Sequence, residues 1–458
     1  MDRRRFLSTL AAGYAAAQWP SHGDGSSASA AAFPVSDVND PAQRDAFLDD
    51  LQRRCYRFFT EAADPVTGLV SDRASFDGAW SSGHASSAAC GFALAGHALA
   101  ADRGYVTAGE AADRTRTLLH SLLEVAENKE GFLYHFFDRR TGHRLPEVEA
   151  SSIDTAIMLG GALVAGTRFA DDAEIASMAD QLYRRVNWRF MLGDNDLMHM
   201  GWTPEGGMIP HQWDRYSEGI LLVLLAIGAP ENAIPSECWN AWRREPVLDF
   251  NGTGFLSYPP LFVHQYPMAF FDFRGYRSPS GRSYWDNAVT AHKAQIAWMT
   301  ELGRRQPERF GHYGPDLWGL TSSDSAEGYK DWGGPYEPGR YEPDRGIDGS
   351  VVPSAAAGGL PIVPEDSIRT LAYQRDRFGD RVYGRFGYVN AYNPACDLNH
   401  PQRDTDRCVQ WVGNDVIGID TGISLIQAEN LRSGNVWNRF MSHPSATSAL
   451  DLAGFRRV

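Results

Sequence analysis

Residues 151–166 read SSIDTAIMLGGALVAG: one acid, Asp154, opens an apolar run that holds no other charge. Gly160, Gly161 and several alanines make this a helix that a neighbour can approach closely, and CGFALAGHALAA (90–101) is of the same kind. Helix-periodic stretches recur at 42–63, 86–101, 108–128, 153–168, 173–186, 216–228, 284–305, 365–378 and 421–433. Loops rich in Gly, Pro, Trp, Tyr and His separate them. About a dozen helices joined by long aromatic loops predict an all-α fold, an α/α toroid whose inner helices form a wall and whose loops build a cleft at one rim.

No dinucleotide fingerprint, phosphate loop or βαβ rhythm competes with that reading. A single catalytic domain is expected over 33–458, with 334–349 as a loop insertion. The formal charge of −14 repels phosphate backbones and anionic lipid surfaces, so nucleic acid is not an expected partner, and no stretch reaches transmembrane length. Residues 1–32 carry Arg3-Arg4-Arg5, a short apolar stretch and Ala-rich cleavage sites in the order of a twin-arginine export signal. Export to the periplasm or the medium is therefore expected, and the chain is expected to act as a monomer. Cys396 and Cys408 bracket a polar segment that a disulfide could close, whereas Cys55, Cys90 and Cys238 sit among helix-forming residues as buried thiols. No cysteine–histidine spacing suggests a metal, and no cofactor is expected.

Three acids stand at helix heads: Asp154, Glu218 in WDRYSEGILLVLL (213–225) and Asp420 in GIDTGISLIQAENLR (418–432). Each has an ordinary reading as a first-turn carboxylate that complements the helix dipole. Each also has a chemical one. A carboxyl entering an apolar environment keeps its proton for donation, while a second carboxylate activates water or attacks a sugar's anomeric carbon. Around them, Trp202, His211, Trp213, Tyr216, His264, Gln265, Trp318 and Asp324 supply rings and hydrogen-bonding groups suited to a glycan. Asp348 reads as a tight turn or a cleft carboxylate. Glu429 and Arg432, at i, i+3, read as a surface ion pair or as the far lining of the cleft.

The segments YHFFDRRTG (134–142), SSIDTAIMLGGAL (151–163), YRRVNW (183–188), GWTPEGG (201–207), PLFVHQYPMAFFDFRG (260–275), YGPDLWGLTSSD (313–324) and DGSVVPSAAAGGLP (348–361), with the Glu218 and Asp420 stretches, run in order through nearly all of the chain after its leader. In these the chain resembles the bacterial glucoamylase-like family that includes the endo-β-1,2-glucanases of glycoside hydrolase family 144. The resemblance implies an (α/α)6 barrel and metal-free, inverting hydrolysis of a β-glucan. It implies Glu218 as general acid, Asp154 as an acid near the scissile bond and Asp420 as base or water-positioner. Two departures stand out: Ser151 where those glucanases carry an acid, and Thr421-Gly422-Ile423 where the pattern reads Gln-Gly-Pro. A polysaccharide lyase and a non-catalytic glycan-binding protein are the rival expectations. The lyase lacks a basic cleft for a uronate, and the three acids weigh against loss of catalysis.

Overall fold

Helices with no polar face can be stable only inside, and that sorting organises this chain. In the computed structural model, which describes residues 40–334, 347–395 and 411–458, about 49% of the chain is helical. The longer helices are α1 (Pro41–Glu61), α2 (Ser87–Arg103), α3 (Ala108–His120), α4 (Ser152–Arg168), α5 (Ala173–Arg184), α6 (Gly219–Ile227), α7 (Tyr284–Arg305), α8 (Pro364–Phe378), α9 (Gly418–Arg432), α10 (Asn435–Ser442) and α11 (Pro444–Leu452). Every residue of α6 is buried, as are Ser87–Ala100 of α2, Asp154–Ala165 of α4 and Thr421–Asn430 of α9. By contrast, α3 and α5 bury single stripes, such as Ile175, Met178, Ala179, Leu182 and Tyr183. Buried helices thus alternate with amphipathic ones that cover them, an all-α arrangement of barrel type.

The glycines of the opening stretch have a specific use. A Cβ on Gly161 would lie 1.8 Å from the Gly91 carbonyl oxygen, so α2 and α4 touch backbone to backbone. One hydrophobic cluster runs from Phe47 to Phe455 and takes in all the buried helices.

Short strands, which the sequence reading treats as loops, tie the rim together. They include β1 (Arg73–Ser75), β2 (His84–Ser86), β3 (Phe136–Asp138), β4 (Ala150–Ser151), β5 (Gly201–Thr203), β6 (Gly207–Met208) and β7 (Asp415–Ile417). β1 pairs with β7 (Arg73 opposite Ile417), β2 pairs with β3, and β4–β5–β6 form a small antiparallel sheet. β2, β4 and β7 lead directly into α2, α4 and α9, so the ladders set where those helices begin.

The helix expected over 108–128 stops at His120 and passes into a π turn, Ser121–Val125. Arg185 donates to the Leu122 and Leu123 carbonyls there, and an inserted side chain of this kind loosens the helical ladder. Cys55, Cys90 and Cys238 are buried free thiols. The leader expected at 1–32, Cys396 and Cys408, and most of the insertion expected at 334–349 lie outside the described residues. Among the described residues, no helix is long and apolar enough to cross a membrane.

Candidate active site

Asp154 occupies the first turn of α4 and is buried. Ser151 caps that helix: its Oγ accepts from the Asp154 amide at 3.3 Å and donates to Asp154 Oδ2 at 2.5 Å. His135 Nε2 stands 3.7 Å from the other carboxylate oxygen. Burial raises the Asp154 carboxyl above its ordinary range, and His135 and Ser151 oppose that rise without cancelling it.

Glu218 sits at the cap position of α6, also buried. Its turn is packed by Trp213, whose ring lies 3.0 Å from where a Gly219 Cβ would be, and whose indole N–H donates to Ser152 Oγ at 3.0 Å. Asp420, in the first turn of α9, accepts from Asn390 Nδ2 at 2.5 Å. Burial, reinforced by the charges of Asp324 and Asp72, lifts its carboxyl to about 7 against the bond from Asn390.

The three acids act on one phenol. Tyr266, in the short buried turn Tyr266–Phe270, has its phenol pushed well up by burial, and then by Asp420, Tyr329, Glu218 and Asp154. Arg73 gathers a second set of acids beside them. Its guanidinium reaches Asp415 at 3.0 Å, Asp324 at 3.1 Å and Asp72 at 3.4 Å. Burial alone would raise Asp72, but His84, Arg73 and His135 outweigh it and hold that carboxyl low. The site therefore combines a carboxyl poised near neutral pH, Asp420, with one held ionised, Asp72, which is the pairing that acid–base chemistry on one bond uses. Tyr266, Tyr329, Arg73, His135, Asp72 and Asn390 were not singled out by the sequence reading. His135 and Tyr266 lay in stretches it marked, but Arg73 gave no local signal.

His135, Glu149 and Asp154 each place a ligand atom within 4.8 Å of the others. The imidazole faces Glu149 through Nδ1 and Asp154 through Nε2, one carboxylate on each side. That is how a doubly donating ring sits, not how a ligand set closes on one ion, and we assign no metal there.

The structure moves several expected cleft residues into the core. Tyr216 donates to or accepts from His264 Nδ1 at 2.8 Å, and both are buried. Gln265 Nε2 bonds the Ala355 carbonyl at 2.7 Å and faces His292, while Trp318 is wholly enclosed. The polar groups of Tyr216, His264 and Gln265 meet interior partners, and all four side chains lie in the interior and not on an open cleft wall. Asp348 is the turn reading: it accepts the Ser350 amide at 2.8 Å. Glu429 and Arg432 do not pair and do not line the cleft. They lie at the C-terminal end of α9, about 13 and 18 Å along the axis from Asp420. Glu429 is buried against Arg103 at 2.8 Å, and Arg432 binds Asp45 at 2.7 Å. Trp202 and His211 remain half-exposed on and beside the β5–β6 hairpin, and Asp324 lies half-buried in the Arg73 group.

A family model described as "putative glucoamylase" matches residues 210–444, more than half of the 458-residue chain. The chain belongs to that family. The match takes in Glu218, Tyr266 and Asp420 but begins after Asp154. Among curated proteins, this family member is similar to an exo β-1,2-glucooligosaccharide sophorohydrolase (non-reducing end) of Parabacteroides distasonis, at 24% identity over 465 residues. That alignment covers 93% of this chain and 59% of the relative, so the chain spans less than two thirds of the relative's length. Among solved structures, a putative glucoamylase from Bacteroides caccae shares 27% identity at a TM-score of 0.77, covering 90% of this chain and 100% of that one. An endo-β-1,2-glucanase from Chitinophaga pinensis, solved with sophorotriose and glucose, has the same fold at 23% identity. Its TM-score is 0.77, with 90% of this chain and 98% of that one covered.

Proposed function

We propose that this protein is an exported glycoside hydrolase that cleaves a β-glucan, β-1,2-glucan first among them, by an inverting acid–base mechanism. The observation that carries the reading is that Asp154, Glu218 and Asp420, at the heads of three separate buried helices, all bear electrostatically on the one Tyr266 phenol. Glu218 is the general acid that protonates the departing oxygen. Asp420, its carboxyl at about 7, is matched to taking a proton from water near neutral pH. Asp154 supplies the negative charge that faces an oxocarbenium-like transition state. The relatives named for β-1,2-glucan and its oligosaccharides support that substrate class.

The architecture fits an (α/α)6 barrel in which two inner helices have shrunk to the buried turns Tyr266–Phe270 and Pro353–Ala357. The chain after residue 32 forms one catalytic unit, and the leader directs it to the periplasm or the medium. The test is a panel of β-1,2-, β-1,3-, β-1,4-, β-1,6- and α-1,4-glucans with product sizes and the first-formed anomer recorded by NMR. Hydrolysis of β-1,2-glucan with inversion is expected. Activity on the α-1,4-glucan alone, or an unsaturated product absorbing in the ultraviolet, overturns the reading. Glu218→Gln should lower turnover by about 10²- to 10⁴-fold with the fold intact, and near-wild-type turnover would remove Glu218 from the acid's role.

A further inference from the structure

We propose that His135 is a positioning residue for Asp154: a doubly protonated imidazole, clamped between Glu149 and Asp154, that keeps Asp154 charged while the substrate is bound. This deepens the hydrolase reading and rests on it for its functional consequence. The geometry comes first. His135 precedes β3, where its backbone carbonyl receives the Ser87 amide at the start of α2. Its ring stacks on Phe136 at 3.8 Å between centroids, which fixes the ring plane. In that plane Nδ1 meets Glu149 Oε1 at 3.1 Å and Nε2 faces Asp154 Oδ1 at 3.7 Å. Either neutral tautomer would turn a lone pair toward one of the two carboxylates. Only the imidazolium presents an N–H to both.

The wider surroundings agree. The charged and titratable groups packed about the ring are Asp72 ahead of β1, His84 of β2, Glu149 ahead of β4 and Asp154 of α4, with Arg73 on the far side of Asp72. Burial would strip the ring of its proton, but Asp154, Glu149 and Asp72 together outweigh burial and bring it to about 9. Glu149 is itself buried, and its Oε2 has no hydrogen-bond partner among the described residues. A buried carboxylate left with one bond is costly unless a cation compensates it, and His135 is the cation in place. Ser151 completes the arrangement. It donates to the Asp154 oxygen that His135 does not face, so Asp154 is held from two sides.

The experiment separates this assignment from the hydrolase reading by reading His135 directly. NMR of the full chain labelled at histidine should show both His135 ring nitrogens protonated at pH 8. The midpoint should fall by about one pH unit or more in Glu149→Gln and again in Asp154→Asn, since each removes one facing charge. In turnover of β-1,2-glucan, His135→Gln should lose about tenfold or more at pH 6, and the deficit should shrink as the pH is raised and Asp154 ionises unaided. A purely structural loss would not recover with pH. A neutral His135 at pH 7, or a metal ion on Nε2 in the purified protein, overturns the assignment whatever the turnover. A pH-independent deficit in His135→Gln overturns its link to catalysis. If no glucan is cleaved but His135 titrates high, the hydrolase reading fails and the clamp stands. Should His135→Gln fail to fold, the Glu149→Gln titration still decides.

Discussion

Replacing Asp420 by Asn should make the protein more stable and much less active, with a stability gain that depends on pH. Asp420 ordinarily titrates at 3.8, and burial lifts it to about 7 in the folded chain. Because the folded carboxyl titrates above the unfolded one, the folded chain still holds a proton that the unfolded chain has released at intermediate pH. Wild-type stability therefore falls as pH rises from about 4 to about 7 and is level beyond it. At about 1.36 kcal/mol per pH unit, the full span costs on the order of 4 kcal/mol, an upper figure for one buried group. Asp420→Asn removes that cost, because the amide never ionises and its oxygen still accepts the Asn390 Nδ2 bond. The two proteins should have nearly equal stability at pH 4 and should separate progressively, reaching about 4 kcal/mol in favour of the variant at pH 8. Urea unfolding followed by tryptophan fluorescence at a series of pH values measures the difference, and most other titrations cancel between the two proteins. A difference that is flat from pH 4 to pH 8, or that shrinks as pH rises, would refute the claim that Asp420 is held protonated by its surroundings. Loss of glucan turnover in the same variant would tie the cost to catalysis, as expected where a site retains a destabilising group for function.

Gly161→Ala should destabilise the fold by about 3 kcal/mol or more, since the new carbon would meet the Gly91 carbonyl oxygen at 1.8 Å with backbone on both sides; an unchanged thermal melt would rule out that approach of α2 to α4. Arg103→Met should cost about 3–5 kcal/mol at neutral pH by leaving the buried Glu429 without its cation. Adding Glu429→Gln to it should restore part of the loss, and urea unfolding of the single and double variants tests both statements.

The buried helices were legible because their signal is local. Asp154–Gly166 has no residue that must face water, and the Asp154, Glu218 and Asp420 helix heads can be read from the change in polarity on either side. What surrounds those acids was not legible, because it is assembled across the chain. Arg73 meets Asp324 and Asp415 at separations of 251 and 342 residues, and nothing near Arg73 distinguishes it from a surface cation. Tyr216, His264, Gln265 and Trp318 were misplaced for the converse reason. Their Gly- and Pro-rich neighbourhoods look like open loops, but those loops turn inward, where Tyr216 and His264 satisfy each other and Gln265 satisfies the Ala355 carbonyl. A hydrogen-bonding side chain in a loop offers the same groups to a sugar as to a buried carbonyl, and sequence does not tell which it meets.

Helix α9 carries one acid whose charge is compensated and one whose charge is not. Near its C-terminal end, Glu429 receives two hydrogen bonds from Arg103, one from Gln52 and one from Ser433. A guanidinium so placed compensates the charge, and the cluster ties α1, α2 and α9 together. At the other end, Asp420 receives one neutral donor, Asn390, and has Asp324 and Asp72 for charged neighbours. The positive end of the α9 dipole should favour its ionised form, yet burial and the neighbouring carboxylates prevail and leave it near 7. Had Arg73 reached Asp420 as well as Asp324, Asp415 and Asp72, the site would have become another structural ion pair. Asn390 stands where such a contact would be made, donating from its amide to Asp420 and accepting the Asp324 backbone N–H at 2.8 Å. The neutral amide joins the two acids mechanically while leaving the Asp420 proton free to move. That difference in compensation, more than the presence of acids, is the reason the proposed chemistry is assigned to the N-terminal rim of the buried helices.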